Sequence, residues 1–163
     1  YTALAKAELS APAAAKGAFI PAGNSFDALT AIAGVLRECR GSVLIVDPYM
    51  DAVALTDFLP MVPVGIPLRL LASVKQKSAG LPEAVERWKA QHAQARPIEL
   101  RLAAPRSLHD RLIMDDVSVW SLSQSFNAIA QRSPAMVQRV SADIASAKRE
   151  AFVDMWNNSN ATW

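Results

Sequence analysis

The sequence predicts an α/β fold, with a mixed, largely parallel sheet flanked by helices in a single domain. Three observations carry that expectation. At 163 residues, 52% hydrophobic and 20% charged, the chain is one domain's worth of ordinary globular composition. Strand-like apolar runs bounded by turn residues stand at 43–46, 66–73 and 98–104. Segments of helical periodicity separate those runs, and such alternation calls for helices layered on a sheet.

Taken in order, "YTALAKAELSAPAAAKGAF" is Ala-rich and broken at Pro12 and Gly17, so residues 1–23 are expected to be a helical arm or linker. Residues 24–163 form the domain. "GNSFDALTAIAGVLRECRG" offers Asn24 or Ser25 as an N-cap, places Phe26, Leu29, Ile32, Ala33 and Leu36 at helix spacing, and closes at Gly41. "VLIV" is β-branched-rich and ended by Asp47-Pro48, which reads as a buried strand stopped by a turn. "DAVALTDFL" predicts a short amphipathic helix, "IPLRLLAS" a second strand, and "LPEAVERWKAQHAQA" a helix with Pro82 near its first position. "IELRLAA" is a third strand. "RLIMD" and "VSVWSL" then predict a hairpin about Asp115-Asp116, followed by a polar loop and a last amphipathic helix, "VSADIASAKREAFVDMW".

The bulk properties exclude several functions. A net charge of +2 supplies no global field toward nucleic acid or anionic membrane, so a phosphate-seeking surface has to be local. The one cysteine, Cys39, excludes an intrachain disulfide, argues against a cysteine-rich metal site and fits the cytoplasm. No apolar run approaches the ~20 residues of a membrane span.

Polar chemistry concentrates in "SLHDRLIMDDVSVWSLSQSFNAIA", Ser107 to Ala130. His109 and Arg111 fall on one side of an extended chain. The hairpin then returns the chain, so Ser123, Ser125 and Asn127 can lie beside them. An imidazole, a permanent cation and several neutral hydrogen-bonding groups suit the holding and attack of a tetrahedral phosphate. Arg101 and Arg106 could extend a basic rim toward a polyanion. Asp47-Pro48-Tyr49 sits where open α/β sheets place ligand groups, although a turn that stops the strand explains it as well.

These residues resemble the phospholipase D superfamily. "HDRLIMDD" is similar to its H-x-K-x4-D signature, with His109 first, Arg111 in the lysine place and Asp116 last. "SQSFN" resembles the glycine-serine-x-asparagine segment that follows it, with Ser123 in the glycine place, then Ser125 and Asn127. The resemblance spans roughly residues 24–156. It implies a metal-independent phosphodiesterase without cofactor, in which His109 attacks phosphorus to give a phosphohistidine. A second histidine protonates the leaving oxygen, and water releases the product. Arg111, Asp116, Ser125 and Asn127 complete the implied catalytic set, with Ser123, Gln124 and Arg106 on the substrate.

One copy of the motif carries one histidine. His92, in "WKAQHAQA", lies mid-helix without a family match, so the acid is expected from a second protomer across a two-fold axis. The resemblance thus implies a homodimeric hydrolase, an endonuclease acting on nucleic acid, with DNA as the expected form. Trp120, Leu122 and Phe126 are candidates to support the dimer interface. Arg111 in place of lysine and Ser123 in place of glycine keep a second reading in view: a non-catalytic copy kept for dimerisation or polyanion binding. A lipid-headgroup hydrolase is the third.

Overall fold

In the computed structural model, which describes residues 17–159 apart from the side chains of Lys77 and Ser78, a seven-stranded sheet runs through the middle. Its strands are β1 (Ala18–Ile20), β2 (Val43–Val46), β3 (Leu68–Ser73), β4 (Ile98–Ala103), β5 (Leu112–Met114), β6 (Val119–Leu122) and β7 (Ala135–Arg139). They lie in the order β1-β7-β6-β5-β2-β3-β4. The helices are α1 (Ser25–Arg37), α2 (Leu81–His92) and α3 (Ala142–Asn157).

The expectation of a largely parallel sheet is corrected. Only β2 with β3 and β3 with β4 pair in parallel, whereas β2–β5, β5–β6, β6–β7 and β7–β1 are antiparallel. Helical crossovers force the first three predicted strands to be parallel, as expected. The second half is a meander without crossover helices, and short connections can only make antiparallel pairs. Two strands also lie outside the predicted set. Ala18–Ile20, assigned above to the lead-in arm, is the edge strand beside β7. The rest of that arm, residues 1–16, lies outside the described residues. Ala135–Arg139, placed above in the polar loop, is β7.

Burial explains the layering. Val43, Leu44, Ile45 and Val46 are all 0–1% exposed. Complete burial of such side chains stabilises by roughly 1.5–3 kcal/mol each. Val43 and Ile45 join one core with Ile32, Leu36, Phe58, Val85 and Trp88, under α1 and α2. Leu44 and Val46 join the other with Phe152 and Trp156 of α3. The predicted amphipathic segment after β2 winds wide, as a π-helical turn at Ala54–Phe58 in which the Leu59 amide donates to the Ala54 carbonyl, and Leu59–Met61 then tightens into a 3-10 turn.

This topology fixes two edges. The C-terminal ends of β2, β3, β4 and β6 share one edge with the start of β5. The other edge holds the C-terminal end of α1 and the β5–β6 turn, where the Arg40 amide donates to Asp115.

Candidate active site

The site assembles at the first edge, where β2 ends and β5 begins. In the β2–β5 ladder Val46 stands opposite Leu112, so the next pair outward is Asp47 with Arg111. Alternation turns both toward the face that holds Ile45 and Ile113. Asp110, the intervening residue, turns the other way and its carboxylate accepts from Lys148 Nζ of α3 at 2.7 Å.

Asp47 is fully buried. Its Oδ1 accepts from the Tyr49 amide at 2.9 Å. Its Oδ2 accepts from Ser125 Oγ at 2.7 Å and the Phe126 amide at 3.0 Å. Burial pushes its pKa up from the ordinary 3.8; the Ser125, Tyr49 and Phe126 hydrogen bonds and the nearby Arg111 charge oppose that rise without cancelling it. The Asn127 side-chain amide of the same loop donates from Nδ2 to the Tyr49 carbonyl at 3.1 Å. Two segments about eighty residues apart in sequence are thereby tied into one cluster.

Arg111 lies across from Asp47, its Cζ 5.6 Å from the centre of the Tyr49 ring. Its Nε is buried and has no hydrogen-bond partner. A buried donor left unmade costs about 1–3 kcal/mol, which an anionic ligand would recover. His109, two residues earlier, is exposed at the mouth of this edge. The tyrosine itself is 54% exposed.

Of the predicted set, the structure brings together Arg111, Ser125 and Asn127 around Asp47 and Tyr49, with His109 exposed two residues before Arg111. It does not bring Asp116. That residue lies at the other end of β5, about 16 Å from Arg111 at ~3.3 Å per residue. There its Oδ1 accepts from the Ser42 amide and Oγ. Ser123 points at the neighbouring strand, its Oγ accepting from the Met136 amide at 2.8 Å. Gln124 ties down the 125–134 loop: Nε2 donates to the Ser133 carbonyl, Ser133 Oγ and the Pro134 carbonyl, and Oε1 accepts from the Ala130 amide. Arg106 is exposed on the β4–β5 connection at the site edge. Arg101 faces α3 instead, 4.6 Å from the Trp156 ring and paired with Glu99. His92 lies against the Trp88 ring, 4.5 Å between centres, at the far end of α2.

Asp47 does more in the site than stop a strand. An acid directly after a fully buried strand, at the edge where the His-x-Arg strand starts, was the available signal. The expected interface role of Trp120, Leu122 and Phe126 is corrected: they are 4%, 4% and 2% exposed and belong to the core. Among the described residues no group of three His, Cys, Asp or Glu side chains is placed to hold a metal ion. No helix among them is long and apolar enough to cross a membrane.

No protein-family model matches the chain, and no curated protein does. Solved structures do. The archaeal chromatin protein TrmBL2, described as showing a novel mode of DNA binding, superposes with a TM-score of 0.59 at 16% identity over 98% of this chain. Nuc, a phospholipase D family member from Salmonella typhimurium, gives 0.58 at 18% identity over 79% of this chain and 86% of its own. Phosphatidylserine synthase from Haemophilus influenzae Rd KW20 gives 0.54 at 11% identity over 89%. The chain spans 62% of the length of the chromatin protein and 39% of the synthase. At these identities the likeness is one of fold: a mixed α/β domain similar to that of the phospholipase D family.

Proposed function

We propose that the protein is a metal-independent phosphodiesterase, a nuclease, that works as a homodimer through a phosphohistidine on His109. The observation that carries this reading is the unpartnered Arg111 Nε beside the Ser125–Asn127 loop held by Asp47, at the strand edge that His109 precedes by two residues. Nuc supports it as a phospholipase D family member of matching fold.

In this mechanism a neutral His109 imidazole attacks phosphorus, forming a P–N bond as the P–O bond to the leaving group breaks. The leaving oxygen takes a proton from His109 of the partner subunit. That second imidazole, now neutral, deprotonates water, which attacks phosphorus and breaks the P–N bond. Arg111 and the second Nδ2 hydrogen of Asn127 offset the charge that gathers on the non-bridging oxygens, while the Ser125 hydroxyl is committed to Asp47. Asp47 stays outside the reaction and positions Ser125.

A specific observation favours a second reading. The DNA-binding chromatin protein matches over nearly the whole chain, which suits a module that binds a polyanion without cleaving it. One experiment separates the two. Wild-type protein is assayed on oligonucleotides in EDTA, alone and mixed with excess His109→Ala chains. The nuclease reading expects cleavage in EDTA, and a loss on mixing that exceeds dilution because heterodimers lack one histidine. Binding without cleavage under all conditions leaves the module.

A further inference from the structure

The loops around the site carry cations besides Arg111. Lys75 follows β3, in a turn pinned where its amide donates to Ser73 Oγ at 3.3 Å. Arg106 stands on the β4–β5 connection in a left-handed backbone conformation, φ +64°. Its turn is closed by Ser107, which donates to the Ala104 carbonyl from both Oγ at 2.6 Å and its amide at 3.2 Å. Arg132 lies in the β6–β7 loop that Gln124 ties down at Ser133 and Pro134. All three residues are exposed. The C-terminal ends of β3, β4 and β6 share one edge, so these cations flank Arg111 on both sides.

The carboxylates of this edge have partners of their own, including Asp57 beside Phe26, which accepts from Thr56 Oγ1 at 3.0 Å. Asp47 is buried in three hydrogen bonds. Asp51 accepts from the Val53 amide, and Asp110 is paired with Lys148. Two exposed aromatic rings stand at the same edge. Tyr49 is 54% exposed next to Arg111, and Phe26, 74% exposed, lines a cavity of about 240 Å³ together with Asn127.

We propose that Lys75, Arg106 and Arg132 form a track for the backbone of single-stranded nucleic acid running across the strand ends, with Tyr49 and Phe26 as stacking platforms. From β6 to β4 the edge spans four inter-strand steps, about 19 Å at ~4.8 Å each. A polyanion can use that whole length, whereas one lipid headgroup or isolated phosphate cannot. Cations interleaved with exposed rings are the arrangement that suits single strands, because every base has a face to stack. The inference rests on the nuclease reading and gives it a substrate class.

The test compares wild type with the triple variant Lys75→Ala, Arg106→Ala, Arg132→Ala. Each is measured for binding to a 20-nucleotide single strand and its duplex over a salt series, and for hydrolysis of the small diester bis(p-nitrophenyl) phosphate. The track predicts that the triple variant loses single-strand affinity by ten- to a hundred-fold, and that the double variant Lys75→Ala, Arg132→Ala, which spares Arg106, loses part of that affinity and keeps diester hydrolysis. In the triple variant the slope of log affinity against log salt should become shallower by about 2, at ~0.7 for each phosphate that a removed cation had neutralised. Wild type should prefer the single strand. Unchanged affinity and slope in the triple variant overturn the track, and so does a duplex that binds as tightly. Absent diester hydrolysis with the predicted binding losses leaves the track standing and removes the nuclease reading.

Discussion

At its two ends the short strand β5 carries similar polar residues in opposite condition. Beyond Met114, Asp115 accepts from the amides of Arg40, Val117 and Ser118 at 2.6–2.9 Å. Asp116 accepts from Ser42 and lies against Gly41, where φ is +79° and a Cβ would run into its carboxylate. These groups are consumed in closing a turn onto the end of α1. Before Leu112, Arg111 keeps a buried Nε without a partner, and His109 is exposed. A signature that looks continuous in sequence therefore divides into a structural end and an open end. The difference teaches that a polar residue's role is read from what its atoms already hold.

Substitutions at the two ends sharpen that contrast. The largest effect belongs to the open end. Arg111→Ala should lower phosphodiester cleavage by at least ~10²-fold, the scale for one charge stabiliser of a transition state. Arg111→Lys should restore part of it, because an ammonium there keeps the charge but not the planar fork. Wild-type turnover by the alanine variant would erase the distinction between the ends.

At the closed end the effect should fall on stability. Asp115→Ala leaves three amides without their acceptor and is expected to cost about 2–4 kcal/mol by urea unfolding. Turnover per folded molecule should be unchanged. A variant of native stability that has lost activity would show that this end reaches the chemistry.

The smallest effect is a pH dependence at Asp47. Its folded pKa stands above the unfolded value of 3.8, so the native state holds the proton more tightly. The stability this group contributes is therefore full below pH 3.8 and is lost as pH rises through the folded pKa. Urea midpoints of wild type relative to Asp47→Asn should fall with pH across that window. A wild type that gains on the variant as pH rises would mean that the hydrogen bonds outweigh burial.

Much of the fold was legible because β2, β3 and β4 are long or unbroken apolar runs separated by helical periodicity. The strands β1 and β7 were not. Three residues at the end of an alanine-rich stretch carry little pattern. In β7 only Ala135 and Val137 are buried, while Met136, Gln138 and Arg139 are exposed, so the alternation is brief. The antiparallel half followed from pairing order, which composition does not encode. Within the candidate site, the nearness of Arg111 to Ser125 and Asn127 was legible from the hairpin that returns the chain. Asp47 was hidden because Asp-Pro is a sufficient reason for a strand to stop, and only the register with Arg111 shows its second use. Asp116 closes the expected hairpin turn, and a three-residue strand separates it from Arg111.

The central claim, that the open end of β5 is a nucleophilic site, is tested most directly by trapping its intermediate. Wild-type protein turning over an oligonucleotide is quenched under alkaline denaturing conditions, digested, and mapped by mass spectrometry. A nucleotide adduct on the peptide that bears His109, absent in His109→Ala, is the predicted result. Turnover without that adduct, or with the adduct on His92, would contradict it.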